Sequence, residues 1–296
     1  MNSIDIESKK FLGQPKNFVS IFNALLFDGQ PVLKPEYLKD ENSELVMNVS
    51  SKHVDIIKRY EDGTYLDLFV IESQSYVDQC MVARVMEYEC VARMRYIRQN
   101  FKKHVPMHTR LPMILTVVLY VGESKWNAAK RLSELEIIHP GFEDMFNEFK
   151  LNLIELNTNH KYNTGEKATQ DFFDLLRMIY RKQILKENLD REFNRDALYF
   201  AYVVTKNKEL LNIYQESEKG DVKVCRALDE MFEESTNKGI QMGIKQGIEQ
   251  GVERGVKNTQ IKIAIKMLVR NNQTLEEISE IVGLDLDALR ELKKSI

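Results

Sequence analysis

The segment Tyr65-Leu-Asp-Leu-Phe-Val-Ile71, followed directly by Glu72-Ser73-Gln74, decides the fold and the candidate chemistry of this chain. Successive side chains of a β-strand point to opposite faces of the sheet, so every second residue of this segment shares one face. The residues on that face are Leu66, Leu68, Val70, Glu72 and Gln74. A carboxylate and an amide therefore emerge side by side from an apolar surface, which marks them as candidate site residues.

A second strand is predicted immediately before this one. It reads Val54-Asp55-Ile56-Ile57-Lys58-Arg59-Tyr60, and the segment Glu61-Asp-Gly-Thr64 that follows carries the Asp-Gly pair typical of a tight hairpin. Pairing across the hairpin would bring Asp55 near Glu72 and Gln74 at one end of the sheet. Two carboxylates and one neutral oxygen are ligands that suit Mg²⁺, and a bound Mg²⁺ can activate water for attack on a phosphodiester.

This order of acidic residues resembles a known nuclease motif. In restriction-endonuclease-like nucleases, an Asp on one strand and Glu-x-Lys on the next are written PD-(D/E)xK, and here Gln74 stands at the position of the Lys. Lys would supply a positive charge that helps to acidify the attacking water, whereas an amide only orients that water. The Glu-x-Gln version is similar to that of the Rpn family of recombination-promoting nucleases, also called YhgA-like transposases.

The resemblance to the Rpn family extends over about residues 17–180 and includes the C-terminal tail. The stretches that carry it are 22–29, 32–38, Glu72-Ser-Gln-Ser75 with Asp78, Met81, Arg84 and Tyr88, and 111–122 with Trp126. The resemblance implies an α/β fold with a restriction-endonuclease-like central mixed sheet flanked by helices, followed by an α-helical C-terminal region.

The residues and the resemblance together predict a metal-dependent DNA endonuclease, and the resemblance implies that it takes part in recombination or mobile-element-like activity. Asp55 and Glu72 would bind Mg²⁺ or another divalent cation, and Gln74 would orient the attacking water. The alternative is a catalytically weakened nuclease fold that acts as an oligomeric DNA-binding or interaction module, because the motif lacks its Lys.

The helix predicted after the Glu-x-Gln strand is rich in basic residues. Between Met81 and Arg110 there are seven basic residues and two acidic ones. The candidate DNA-binding residues are Arg84, Arg93, Arg95, Arg98, Lys102 and Lys103. Their charge could neutralise phosphates at the opening of the site. The alternative is a solvated helix face whose arginines pair with acidic residues elsewhere.

Four segments are expected along the chain. They are a PD-(D/E)xK-like nuclease domain at 1–187, a helical extension at 188–235, a glycine-repeat helix at 236–272 and a small helix-turn-helix-like tail at 273–296. Within the nuclease domain, 111–120 reads as a central strand covered on both faces, 151–156 as a further strand and 170–180 as an amphipathic helix. The periodicity of the extension is helical throughout.

Glycine recurs at every fourth position of the third segment. The glycines are residues 239, 243, 247, 251 and 255, and each is followed by Ile or Val. A Gly in a helix interior costs about 1 kcal/mol relative to Ala, so a compensating contact is expected. Glycines at this spacing form a smooth stripe that lets another backbone approach closely, which predicts a homo-oligomer. The alternative is a flexible connector.

The tail carries local signals for two short helices. Thr274-Leu-Glu-Glu277 is a capping box, Gly283 closes the first helix, and Asp285 caps a second helix that runs to Lys294. Residues 273–296 hold six acidic and three basic residues. This charge is poorly suited to a DNA groove, so we favour a protein contact for the tail.

Composition and hydropathy bound the class of protein. A chain of 296 residues with 43% hydrophobic content can bury a sizeable core, and its net charge is −3. The three cysteines are widely spaced, so neither a disulfide framework nor a zinc site is indicated. No apolar stretch approaches the roughly 18 residues of a membrane span, and Met1–Lys10 lacks a signal-peptide layout. We therefore expect a cytoplasmic protein without a membrane partner.

Overall fold

The fold is taken from a computed structural model, which describes residues 3–41, 56–63, 66–183, 191–217 and 220–296. The chain divides into two compact units, Met1–Glu230 and Met231–Ile296. The predicted nuclease domain and residues 188–230 of the predicted helical extension fall in the first unit. The boundary between the units lies within the long helix that contains the glycine repeat.

The first unit is built on a mixed sheet that has five strands in the described part of the chain. The strands are β1 (Leu38–Asp40), β2 (Ile56–Glu61), β3 (Leu66–Gln74), β4 (Ile114–Tyr120) and β5 (Asn152–Glu155), and they lie in that order across the sheet. The pairs β1–β2 and β2–β3 are antiparallel, whereas β3–β4 and β4–β5 are parallel. The prediction of a restriction-endonuclease-like central mixed sheet flanked by helices is confirmed.

Helices cover both faces of β3, and its alternating sequence explains why. On one face, Leu68 and Val70 share a buried cluster with Tyr88 and Ala92 of helix α3 (Met81–Asn100). On the other face, Phe69 stacks on Phe22 of helix α2 (Pro15–Phe27), with ring centroids 4.7 Å apart. Both periods of the strand are therefore buried, and Glu72 and Gln74 continue the face that α3 covers.

The helical extension packs on the nuclease-like part. The extension contains the helices α5 (Arg195–Thr205) and α6 (Lys208–Glu216). It packs on the helices α1 (Ser3–Leu12) and α4 (Lys167–Arg181) of the nuclease-like part. The ring of Phe172 in α4 lies 5.6 Å from that of Phe11 in α1 and 4.6 Å from that of Phe200 in α5. Burial of these three aromatic side chains joins the extension to the sheet domain.

The periodicity of the extension predicts helix throughout, but the structure also contains two short strands there. Two-residue strands β6 (Glu192–Phe193) and β7 (Val222–Lys223) pair in antiparallel fashion on either side of α5 and α6. Strands of this length carry no periodicity that a sequence pattern could reveal.

A buried ionic network also connects α4 with the segment around β6. Asp171 is fully buried, accepts from the backbone amide of Asn194 and forms ion pairs with Lys167 and Arg191. Asp174 accepts from Arg191 Nη1 at 2.7 Å. Each buried carboxylate is thus compensated by a charged partner, as burial of a charge requires.

The second unit contains the glycine repeat and the tail. Helix α7 (Cys225–Arg270) is followed by α8 (Leu275–Val282) and α9 (Leu286–Lys294). The end of α7 packs with α8 and α9 through the buried residues Ala264, Leu268, Ile278, Val282 and Leu289.

The capping signals of the tail are confirmed. The Thr274–Glu277 capping box is formed, Gly283 ends α8 with a φ of 71°, and Asp285 accepts from the amide of Ala288 at 2.7 Å.

The glycine repeat is helical and exposed within this unit. A Cβ atom built on any of the five glycines would meet nothing within 4 Å. The apolar residues Ile240, Ile244, Ile248, Val252 and Val256 are each more than half exposed. Self-association through this stripe stays a prediction. Among the helices of the described ranges, none has both the length and the apolar character that a membrane span requires.

Candidate functional site

Glu72 and Gln74 lie side by side at the carboxyl end of β3. In the parallel pairing with β4, Glu72 is opposite Val118 and Gln74 is opposite Tyr120. Their residues are only 3% and 5% exposed, and Gln74 Nε2 donates to Glu72 Oε1 at 3.0 Å. This is the juxtaposition expected from the alternation of the strand. Such burial is unusual for a Glu, which needs a partner when it is removed from water.

Helix α3 adds a guanidinium and a phenol to this pair. Arg84 and Tyr88 are four residues apart, so they share one face of the helix. Arg84 Nη2 lies 3.3 Å from Glu72 Oε1 and donates to Tyr88 Oη at 2.7 Å. Arg84 Nη1 donates to Asp78 Oδ2 at 2.5 Å. The described site therefore contains two carboxylates, one amide, one guanidinium and one phenol.

The electrostatics of the site hold Arg84 in its charged form. Burial alone would lower the pKa of Arg84, but the hydrogen bonds to Asp78 and Tyr88 and the charge of Glu72 outweigh it and raise that pKa. Burial raises the pKa of Tyr88, and the negative charge of Glu72 adds to this shift. Tyr88 is therefore a neutral hydroxyl beside a fixed positive charge near neutral pH.

An apolar cluster packs beside the site, between helix α3 and strand β4. Met81 and Val85 of α3 pack with Val118, Tyr120 and Trp126. The Trp126 ring lies edge-on to Tyr120 with centroids 5.1 Å apart, and its Nε1 donates to the carbonyl of Ala128 at 3.0 Å. Trp126, the single tryptophan, is therefore a buried core contact.

Glycine is required at position 122, two residues after the end of β4. A Cβ atom at Gly122 would lie 2.4 Å from Tyr120 Oη and 2.7 Å from the carbonyl oxygen of Ser75. These are shorter than any real carbon contact, so a side chain at this position would displace the segment that follows Gln74.

The predicted second metal ligand, Asp55, lies outside the described residues. Asp67, on β3, lies on the opposite face from Glu72 and accepts from the amide of Met113 at 3.1 Å. Within the described ranges, no group of three or more His, Cys, Asp and Glu side chains is arranged to hold a metal ion. The predicted pairing of Asp55 with Glu72 stays a prediction.

The donor chemistry of the described pair suits a hard cation. The bond from Gln74 to Glu72 uses the amide NH₂, which leaves the amide carbonyl oxygen as a ligand for a cation or a water molecule. A carboxylate and a neutral oxygen are the ligand types that Mg²⁺ accepts together with several waters.

The predicted DNA-binding residues divide between two sides of α3. Arg95 and Arg98 follow Arg84 by 11 and 14 residues, which places them within roughly 40° of it around the helix. Arg93 lies on the other side, where it pairs with Glu89 at 2.9 Å. Lys102 and Lys103 are exposed just after the helix. Arg84 is placed inside the site, with its side chain 16% exposed.

Sequence reasoning assigned no role to Asp78 or Tyr88. Both residues belong to the stretch that carries the family resemblance, and the i, i+4 spacing of Arg84 and Tyr88 indicates a shared helix face. The pairing of Asp78 with Arg84 depends on the turn between β3 and α3, which no local pattern specifies.

Comparison with protein families decides the relationship of the chain. Residues 36–209 match the family described as "Putative transposase, YhgA-like", and this match spans more than half of the chain. The chain belongs to the YhgA-like transposase family. The matched region includes every residue of the described site. Comparisons with curated proteins and with solved structures give no significant match. Membership in the YhgA-like family supports a transposase- or nuclease-type role and an interaction with DNA.

Proposed function

We propose that this protein is a metal-dependent DNA endonuclease that hydrolyses phosphodiester bonds. The observation that carries this proposal is the buried pair of Glu72 and Gln74, joined at 3.0 Å at the carboxyl end of a central strand of a restriction-endonuclease-like sheet. A buried carboxylate beside an amide contributes little to the stability of a strand, but it provides oxygen ligands in a fixed geometry.

The residues would divide the chemistry among them. Glu72 and Asp55 would hold Mg²⁺ or a similar cation, which when bound supplies an activated water and offsets charge on the phosphate. Gln74, fixed by its bond to Glu72, would orient the attacking water through its carbonyl oxygen. The apolar cluster around Trp126 holds α3 against β4 and thereby fixes the face on which these groups lie.

DNA would approach along the basic face of α3. Arg95 and Arg98 share the side of the helix that carries Arg84, and Lys102 and Lys103 extend this charge beyond the end of the helix. Contacts of this kind neutralise phosphates without reading sequence, so we propose binding that depends strongly on salt.

Cleavage of supercoiled plasmid with Mg²⁺, Mn²⁺ or Ca²⁺ tests the proposal. We expect nicking with Mg²⁺ or Mn²⁺ and its loss in Glu72→Ala. Glu136→Ala, which removes an exposed Glu of the same unit, is the matched control and should retain activity. Nicking that survives Glu72→Ala would disprove the assigned site, and absence of nicking with every cation would disprove the endonuclease.

A catalytically weakened fold that binds DNA as an oligomer is the second candidate. The amide at position 74, where the motif of related nucleases has Lys, favours it. Gln74→Lys separates the two candidates in the same plasmid assay. If the natural protein binds DNA without nicking and Gln74→Lys nicks it, the fold is a binding module with a disabled site.

A further inference from the structure

Arg84 is more deeply involved in the site than a phosphate-binding residue would be. Its guanidinium reaches three groups at once, Glu72, Asp78 and Tyr88. A surface arginine that contacts DNA keeps its guanidinium in water, whereas the Arg84 side chain is 16% exposed and the Glu72 side chain is 4% exposed. The contacts of Arg84 are therefore internal to the site.

We infer that Arg84 is a positioning residue that holds the Glu72 carboxylate as an ion pair in the metal-free protein, so that a divalent cation must compete with this ion pair. The inference rests on the proposed function, since it concerns the same metal site. It differs from that function in assigning to Arg84 an effect on metal affinity and on the metal-free fold.

The charge of Glu72 is the first reason. A carboxylate that is buried to this extent needs a compensating positive charge when no cation is bound. Arg84 Nη2, 3.3 Å from Glu72 Oε1, supplies it. A cation bound at the same carboxylate would lie a few ångströms from the guanidinium, where like charges repel.

The second reason is the way Arg84 is anchored. Asp78 accepts from Arg84 Nη1, and the other carboxylate oxygen of Asp78 accepts from the amide of Cys80 at 2.9 Å. This second bond fixes Asp78 at the start of α3. Asp78 therefore draws the guanidinium away from Glu72, and the balance between the two acids sets how strongly Arg84 opposes a cation.

The third reason is that Tyr88 limits where the guanidinium can move. Arg84 Nε and Nη2 both donate to Tyr88 Oη, at 3.2 and 2.7 Å, and the guanidinium carbon lies 5.7 Å from the centroid of the Tyr88 ring. These contacts keep the side chain beside the two carboxylates. Lys at this position could not make the same set of bonds, because its three donors lack the fixed geometry of a guanidinium.

Titration of Mn²⁺ into the full-length protein, followed by calorimetry, tests the inference without any cleavage assay. Arg84→Met removes the positive charge and keeps the length of the side chain. We expect it to bind Mn²⁺ about tenfold more tightly, because one repulsive charge beside the carboxylate is gone. In the presence of a chelator, the same variant should melt at a lower temperature, and Mn²⁺ should raise its melting temperature more than that of the natural protein.

Two further variants separate positioning from a general structural effect. Asp78→Asn weakens the anchor of Arg84, so Mn²⁺ should bind more weakly, the opposite of the effect of Arg84→Met. In the double variant, Asp78→Asn should have no additional effect, because Asp78 acts through Arg84. Arg84→Lys, which keeps the charge, should retain weak binding. Arg131→Met, a change of the same type at an exposed arginine away from α3, should leave Mn²⁺ affinity unchanged.

Each result decides between the inference and its failure. Unchanged or weaker binding in Arg84→Met, while the natural protein binds Mn²⁺, would overturn the inference and leave the endonuclease proposal intact. If the natural protein shows no binding, a gain of binding in Arg84→Met supports the inference, and no binding in either protein refutes both proposals. Equal weakening in Arg84→Met and Asp78→Asn would mean that both residues only maintain the fold.

Discussion

Gln74 Nε2 donates a hydrogen bond of 3.0 Å to Glu72 Oε1, so the amide at the position of the lysine in the PD-(D/E)xK motif is oriented by the carboxylate beside it. A lysine at this position would pair with Glu72 by charge. The amide gives orientation without charge, and the positive charge of the site comes instead from Arg84 on the neighbouring helix.

Gln74→Glu tests how closely this pair is held. The new carboxyl would lie beside Glu72 in a buried position, so mutual repulsion and burial should raise its pKa. When folding raises the pKa of a carboxyl, the unfolding free energy of the protein falls as pH increases from the unfolded pKa to the folded pKa. The fall is about 1.4 kcal/mol per pH unit. Denaturant unfolding from about pH 4, near the pKa of a free Glu, to about pH 8 measures this loss of unfolding free energy.

Gln74→Met is the matched neutral control and should show no added dependence on pH. Mg²⁺ should restore stability to Gln74→Glu at pH 8, because a cation neutralises two adjacent carboxylates; this pH is about that of ordinary nuclease assays. Identical pH profiles for the two variants would show that positions 72 and 74 are not closely packed.

Arg95→Ala and Arg98→Ala test the DNA-binding face of α3. Each should weaken DNA binding to a similar degree for all sequences and lower the slope of log K against log salt by about 0.9. Arg131→Ala is the control, since Arg131 is exposed in another part of the same unit and its ion pair with Glu148 is long, at 4.0 Å. Titration of a labelled duplex at several salt concentrations gives the slopes. Equal slopes in all three variants would place the DNA elsewhere.

Asp171 and Asp221 provide a matched pair for the buried ionic network. Both pair with Lys167, at 2.8 and 3.2 Å, but their side chains are 0% and 36% exposed. Asp171→Ala should cost about 3 to 5 kcal/mol of unfolding free energy, because it breaks the buried ion pair with Arg191 and removes the acceptor of the Asn194 amide. Asp221→Ala should cost less than about 1 kcal/mol. Urea unfolding measures both, and similar losses would contradict the described burial.

Tyr180 should contribute to instability at alkaline pH. Burial raises its pKa, and its hydroxyl donates to the carbonyl of Val121. A tyrosine with a raised pKa gives stability that is present below its unfolded pKa of about 10 and is lost as pH rises toward the folded value. Tyr180→Phe should therefore be less stable by about 1 kcal/mol at neutral pH. Above pH 10, about the pKa of free tyrosine, its stability should fall less steeply. Parallel pH profiles of the two proteins would contradict this.

Glycines 243, 247 and 251 should set the oligomeric state if α7 self-associates. Replacing all three by Leu would block close approach of a second helix, so sedimentation equilibrium of the full chain should show dissociation. The same change at Gln246 and Gln250, which are exposed beside the stripe, is the control. A natural protein that stays monomeric at every concentration would remove the prediction of a homo-oligomer.

Local patterns predicted the elements on which the site is built. The alternation of residues 66–74 indicated which side chains share a face, and the capping box at Thr274 and the Gly at 283 located the limits of α8 to the residue. These features depend on neighbours a few positions apart along the chain. The structure confirms them because packing and local preference agree there.

Features that depend on distant contacts could not be predicted. Arg191 pairs with Asp171 across 20 residues, and the two strands of the β6–β7 pair are separated by two helices.

Proximity in the sequence groups Arg93 with the other arginines of α3, but the turn of the helix places it on the side of Glu89. Its position follows from 100° of rotation per residue, so this part was predictable in principle.

The short distances around Gly122 restrict which residue types can occupy positions 120, 122 and 126. Tyr120 and the Ser75 carbonyl occupy the volume that a methyl group at 122 would need. A chain with alanine there would need a shorter side chain at 120, which would leave an unfilled space beside Trp126, and also a shift of the backbone at Ser75. We therefore expect the residue types at 120, 122 and 126 to change together, if at all, during divergence of this family.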